Sequence, residues 1–169
     1  MKYFICGFMG SGKSTVLKKL RANSDAYKYF DLDYEIHSNY GDSFDSLGEF
    51  IEAKGWDHFR RVETEMIESF LSCDEPLVIA LGGGALSGLN LSKIKGKRDC
   101  LLVFLDIPFE VCLERILGDS NRPLLKLGRE KLEQLYFDRL PHYKCADIQL
   151  DLDKINQIND PDQFKELSD

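Results

Sequence analysis

Eight residues near the amino terminus, Gly7-Phe8-Met9-Gly10-Ser11-Gly12-Lys13-Ser14, carry the spacing G-x-x-x-x-G-K-S. Each residue type meets a need of phosphate chemistry. Glycines let the backbone bend tightly and turn its N–H groups around a phosphate. A helix beginning at the end of the loop adds unpaired N–H groups and its positive dipole end. Lys13 offers a mobile point charge to the outer phosphates, and the Ser14 hydroxyl suits Mg²⁺.

Other residues add chemistry that a bare phosphate loop lacks. Asp31 and Asp33 flank Leu32 at the end of a short aromatic run. In an extended segment these two positions face one side, where paired carboxylates repel unless a cation relieves them. An ordinary capping pair at a strand–helix junction has the same sequence. Beside a phosphate loop, the favoured reading gives Mg²⁺ support to one carboxylate and an acceptor hydroxyl to the other.

Arg60 and Glu63 are i, i+3 neighbours on a helical run. They read equally well as a solvated ion pair or as a guanidinium held ready for a substrate carboxylate. Gly82-Gly83-Gly84 after an apolar run favours a ligand packed against bare backbone over a plain turn. Arg115 and Arg122 bracket a polar loop that can close over ATP phosphates. Arg139, on spacing alone, reads as a cation near a helix C-terminus; a second anion grip is the alternative. Trp56 falls on no clear stripe and serves packing or a substrate wall. His37, His58 and His142 lack metal-ligand spacing and read as surface or packing residues.

Positioning these residues requires alternating strands and helices. Apolar runs at Tyr3–Cys6, Leu77–Leu81 and Leu101–Leu105 read as buried parallel strands. Tyr27–Phe30 and Ala146–Leu150 add an aromatic strand and an alternating one. Helical patterns cover Thr15–Arg21, Tyr34–Tyr40, a segment N-capped by Ser43 and carrying Phe44, Leu47, Phe50 and Ile51, and a longer one spanning Phe59 to Phe70. Further helices are expected at Asn90–Lys95, Phe109–Leu117 after Pro108, and Arg129–Leu140, ended or kinked by Pro141. From Asp151 onward a loop and a short helix including Pro161 to Leu167 are expected. This alternation predicts an α/β fold with a parallel sheet, whose ligands gather at the carboxyl ends of the strands. The phosphate loop, Asp31/Asp33 and Gly82–Gly84 all fall there.

The 169 residues suit one domain, and no apolar run reaches membrane-spanning length. A net charge of -7 disfavours non-specific nucleic-acid binding. The chain enters structure at its first residues, so no signal peptide is expected. Five scattered cysteines without C-x-x-C pairs fit reduced, small, buried residues in a cytoplasm. The expected sheet needs no partner chain, so a monomer is expected.

The motifs Gly7 to Ser14, Phe30-Asp31-Leu32-Asp33, Phe59-Arg60-Arg61-Val62-Glu63, Leu81-Gly82-Gly83-Gly84-Ala85, Arg122-Pro123-Leu124-Leu125 and Arg139…Tyr143…Ala146 together resemble those of the shikimate kinase family. Order and spacing agree from about residue 3 to residue 146. The resemblance implies a three-layer α/β/α P-loop kinase fold of the nucleoside-monophosphate-kinase type, with a five-stranded parallel sheet in order 2-3-1-4-5. It implies an acceptor-binding helical segment over about 33–61 and a lid over about 115–127. The implied reaction moves the γ-phosphate of ATP to the 3-hydroxyl of shikimate, with Mg²⁺, in aromatic amino-acid biosynthesis.

Carried onto this chain, Gly10, Ser11, Gly12, Lys13, Ser14 and Thr15 contact ATP. Arg115 lies by the adenine and Arg122 acts from the lid. Ser14 and Asp31 serve the metal. Asp33 orients the acceptor hydroxyl, Arg60 and Arg139 grip its carboxylate, and Gly82, Gly83 and Gly84 contact its ring. Lys13, Asp33 and Arg122 form the catalytic set. Gly55-Trp56 departs from a Gly-Glu the family often carries, placing a bulky group near the acceptor. Two other readings stand beside this one: a different small-molecule kinase such as a gluconate kinase, and a non-catalytic ATP-binding module. The Arg60/Arg139 pair favours shikimate over gluconate, and Asp33 disfavours the non-catalytic module.

Overall fold

The computed structural model describes residues 1–41, 43–117 and 127–166. Its centre is a five-stranded parallel sheet in the order β2-β3-β1-β4-β5. The strands are β1 (Lys2–Cys6), β2 (Lys28–Asp31), β3 (Leu77–Ala80), β4 (Cys100–Leu105) and β5 (Ile148–Leu150). The expected order is the observed one. β1 lies in the middle, with Lys2 opposite both Leu77 and Cys100 and Cys6 opposite Phe104. β1 and β3 are buried at every residue, as a central parallel strand covered on both faces must be.

Helices link and flank these strands. α1 (Lys13–Asn23) follows β1; α2 (Leu32–Tyr40), α3 (Leu47–Lys54) and α4 (Trp56–Ser72) fill the connection from β2 to β3. α5 (Gly88–Lys95) leads to β4, and α6 (Phe109–Ile116) and α7 (Arg129–Tyr143) connect β4 to β5. α8 (Leu152–Gln157) and α9 (Gln163–Glu166) complete the described chain. One apolar core runs through the sheet and all its major helices. α4 buries Phe59, Val62, Ile67 and Phe70 along the stripe its spacing predicts.

Several local expectations need correction. The N-cap of α3 is Ser46, not Ser43: its side chain accepts from the Glu49 amide at 3.2 Å. Glu49 in turn accepts from the Asp45 amide at 3.0 Å, so the Ser-x-x-Glu spacing marks the start. Phe44 precedes the helix and packs its ring edge-on against Phe50. α7 runs two residues past Pro141. A proline this close to the end deprives only the Phe137 carbonyl of its helical donor, and Phe137 is exposed, so water can replace it. Residues 152–157 form a helix rather than a loop, because the Asp151 carboxylate caps the Lys154 amide at 2.9 Å. That helix buries no residue, so it has no apolar stripe to be read. All five cysteines are free; Cys6, Cys100 and Cys112 are buried as expected, whereas Cys145 is exposed and Cys73 only half-buried.

Candidate active site

β1 ends at Cys6 and α1 begins at Lys13, and the turn between them is built from backbone that only glycine adopts readily. Gly7, Gly10 and Gly12 have φ of 149°, 79° and 95°. Gly12, in the left-handed region, is the residue that opens α1. Gly10 lies so close to α6 that a methyl group there would run into the Cys112 carbonyl and the Ile116 side chain. The loop therefore presses its outer side on α6 and leaves the first amides of α1 facing the sheet opening, where an anion is favoured.

Lys13 Nζ donates to the carbonyls of Gly7 at 2.8 Å and Phe8 at 3.0 Å, folding the ammonium back over the loop. Arg115, on α6, donates to the Gly10 carbonyl at 3.2 Å, so its exposed guanidinium lies against the rim of the loop. Arg122 and most of the expected lid lie outside the described residues. Thr15 is in the first turn of α1 and exposed.

Asp31 closes β2 and opens α2, but its side chain does not cap that helix. Instead Asp31 Oδ2 accepts from Ser14 Oγ at 2.5 Å. The ordinary capping reading is thus excluded for Asp31. The premise of an extended segment through Leu32 also fails, since Leu32 already begins α2. The turn from strand to helix divides the pair. Asp31 reaches the phosphate loop, while Asp33, in the first helical turn, points its carboxylate to where a Gly82 side chain would stand, 2.5 Å from the position of that absent Cβ. Ser14 and Asp31 form an all-oxygen donor pair beside the phosphate loop. Such a pair fits Mg²⁺, which takes one or two protein oxygens and fills its shell with phosphate and water.

The glycine triplet is where four charged side chains meet. Arg60 Nη1 donates to Glu63 Oε2 at 2.6 Å. The same guanidinium lies 5.3 Å from the Trp56 ring centre and 5.2 Å from that of Phe59. Trp56 is therefore a half-exposed wall of the cradle. A Cβ on Gly84 would collide with Arg60 and stand 2.8 Å from Arg139 Nη2, so both cations face the same bare backbone. Arg139 comes from α7, and its guanidinium lies 6.0 Å from the Phe8 ring centre. Arg139 Nη1 is buried without a hydrogen-bond partner, as is Glu63 Oε1. Burial lowers the pKa of Arg139. Burial pushes the Glu63 carboxyl up to about 7, Arg60 opposing the rise and Asp33 adding to it. Two guanidiniums, one unpartnered N–H among them, can grip a carboxylate bidentately.

The two halves of the site adjoin. A Cβ on Gly83 would lie 3.3 Å from the Met9 amide and 3.9 Å from the Gly7 carbonyl, so the triplet packs directly on the phosphate loop.

Residues 9–166 match the family model described as shikimate kinase. The chain belongs to the shikimate kinase family. A shikimate kinase from Persephonella marina is 38% identical over 147 residues, covering 87% of this chain and 86% of that protein. Among solved structures, the shikimate kinase from Acinetobacter baumannii in complex with shikimate matches with a TM-score of 0.74 and 32% identity, over 88% of this chain and 82% of that one. A gluconokinase from Sinorhizobium meliloti matches with a TM-score of 0.63 at 18% identity, over 99% of this chain and 91% of that one, which shows a shared fold alone.

Within this shikimate kinase family member, the structure brings together Asp33, Arg60, Gly82–Gly84 and Arg139 on one side and Gly10–Ser14 with Asp31 on the other. The sequence names Tyr143 within the last motif but gives it no role; in the structure its hydroxyl donates to the Gly83 carbonyl at 2.5 Å. The available signal was its i, i+4 spacing from Arg139, hidden by the expectation that Pro141 breaks α7. The buried position of Glu63, at 1% side-chain exposure, was also not legible from an i, i+3 spacing that suits a surface pair equally.

Proposed function

We propose that the chain transfers the γ-phosphoryl group of ATP to the 3-hydroxyl of shikimate, giving ADP and 3-phosphoshikimate. The observation that carries this reading is the pair Arg60 and Arg139 facing the bare backbone of Gly84, with the neighbouring Gly83 packed on the phosphate loop. A carboxylate held by the pair places the ring of a small acceptor next to the end of a polyphosphate.

In this reading the amides from Gly10 to Thr15 cradle the phosphates, and Lys13 exchanges its two carbonyl partners for phosphate oxygens. Ser14 and Asp31 would hold Mg²⁺, which would supply positive charge against the phosphates. Asp33 orients the acceptor hydroxyl and takes its proton late, since phosphoryl transfer depends more on positioning and charge than on early deprotonation. Glu63 and the ring of Trp56 fix the direction of Arg60. Arg115 adjoins the adenine, and Arg122, from the lid over about 115–127, adds charge to the transferring group. The segment over about 33–61 forms the acceptor-binding part of a single domain. Among the described residues no helix is long and apolar enough to cross a membrane. In this reading the chain works as a cytoplasmic monomer, and its net charge of -7 disfavours nucleic acid as a partner.

ADP release in a coupled assay, with ATP, Mg²⁺ and either shikimate or gluconate, tests the proposal. Release stimulated by shikimate and not by gluconate is expected. Release stimulated by gluconate alone would transfer the chain to the sugar-acid kinases, and nucleotide binding with no stimulated release would leave only a binding module.

A further inference from the structure

Tyr143 is the last residue of α7, one helical turn beyond Arg139, and is 1% exposed. Its ring stacks on Phe104 of β4, with centroids 5.3 Å apart and planes 23° apart. Phe104 is paired in register with Cys6, the residue before the phosphate loop. The ring is thus anchored to the rigid centre of the sheet. The hydroxyl it carries points up into the cradle and donates to the Gly83 carbonyl at 2.5 Å, and Arg139 Nη1 borders that same residue, 3.6 Å from where a Gly83 Cβ would stand. A phenol hydroxyl has one donor and accepting lone pairs, so with its donor on Gly83 the oxygen keeps lone pairs for a cation bordering that residue. Arg139 Nη1 has no partner of its own and is buried. The guanidinium borders the ring face of Phe8 at 6.0 Å and the backbone of Gly83 and Gly84, which the Tyr143 hydroxyl holds through the Gly83 carbonyl.

We infer that Tyr143 is a positioning residue for the acceptor: its hydroxyl sets the spacing between the Arg139 guanidinium and the Gly83 backbone, and so pre-forms the carboxylate grip before the acceptor arrives. The inference rests on the reading that Arg139 and the glycine triplet hold the acceptor. Without the hydroxyl the ring still fills its place on Phe104, but Arg139 gains rotamer freedom that acceptor binding must then remove. The loss falls on acceptor binding and not on the phosphoryl-transfer step or on ATP.

Tyr143→Phe, Arg139→Ala and the double variant test this in steady-state assays with shikimate and ATP varied separately, alongside thermal unfolding. Tyr143→Phe is expected to raise the acceptor KM about fivefold, the size of one lost hydrogen bond, with kcat and the ATP KM within about twofold of the parent. In the Arg139→Ala background the same change is expected to have little further effect, because the residue acts through Arg139. An unchanged acceptor KM in Tyr143→Phe, with a raised one in Arg139→Ala, overturns the inference and leaves the proposed function standing. So does a Tyr143→Phe variant whose melting temperature, kcat and both KM values deteriorate together, which marks a merely structural hydroxyl. A normal acceptor KM in Arg139→Ala overturns the carboxylate grip itself, and the inference falls with it.

Discussion

Replacing Glu63 by Gln probes the electrostatics of the acceptor cradle. The Glu63 side chain is 1% exposed and bonds Arg60 at 2.6 Å. Burial raises its carboxyl from 4.5 to about 7, Asp33 adds to the rise, and Arg60 and Arg139 oppose it. That rise corresponds to roughly 3 kcal/mol between the two protonation states. The fold favours the protonated form. The resulting stability is therefore fully present below pH 4.5, is lost as the pH climbs to about 7, and is level above that. Gln is neutral throughout and lacks this slope. The stability of Glu63→Gln relative to the parent should accordingly improve by about 3 kcal/mol between pH 4.5 and pH 8. Urea unfolding of both proteins across that range measures it. A second consequence concerns binding. A carboxylate arriving at Arg60 and Arg139 brings negative charge towards Glu63 and raises its pKa further, so acceptor binding near pH 7.5 should take up a fraction of a proton. Calorimetry in two buffers of different ionisation enthalpy should show uptake in the parent and none in Glu63→Gln. Parallel stability profiles for the two proteins, with no proton uptake in either, would refute the reasoning.

Three other outcomes follow from the same geometry. Gly84→Ala should raise the acceptor KM by roughly tenfold or more while sparing the ATP KM, because its methyl group meets both Arg60 and Arg139; paired kinetic titrations check this. Gly10→Ala should destabilise the fold by about 1–3 kcal/mol and weaken ATP binding, since φ of 79° and the Cys112 carbonyl both reject a side chain; denaturant unfolding and nucleotide titration read the two effects. Asp31→Asn should raise the Mg²⁺ concentration needed for half-maximal rate by about tenfold, measured by titrating the metal back after chelation.

The phosphate loop was legible because its backbone demands are written as residue types: three positive φ values fall on Gly7, Gly10 and Gly12. The buried strands were legible for the same kind of reason, as short apolar runs without alternation. The sheet order came from the resemblance of the ordered motifs, since spacing alone does not say which strands become neighbours. The acceptor half was read only in outline. Arg139 looked like a cation at a helix end because nothing local shows that α7 returns its last turns to the glycine triplet. Asp33 reads as the end of a strand because Leu32 is apolar and strand-compatible, whereas the chain turns into α2 at Leu32, one residue earlier. Ser43 and Ser46 both suit a cap, and only the Glu49 that follows Ser46 by three residues separates them. Pro141 suggested a helix end that the last turn of α7 tolerates, and with it the Tyr143 contact was hidden. The placement of Arg139 and Tyr143 depends on tertiary structure, which local pattern does not carry, whereas the Ser46 cap is written locally in its Ser-x-x-Glu spacing.

The central claim is that two arginines hold a carboxylate beside a phosphate cradle. The most direct test compares ADP release by the unaltered protein with shikimate and with its methyl ester, which keeps every hydroxyl and replaces the charged carboxylate by a neutral group one methyl larger. An acceptor KM for the ester at least about a hundredfold higher is expected, from loss of a charge-assisted bidentate contact, with the ATP KM unchanged. Equal KM values for acid and ester would contradict it.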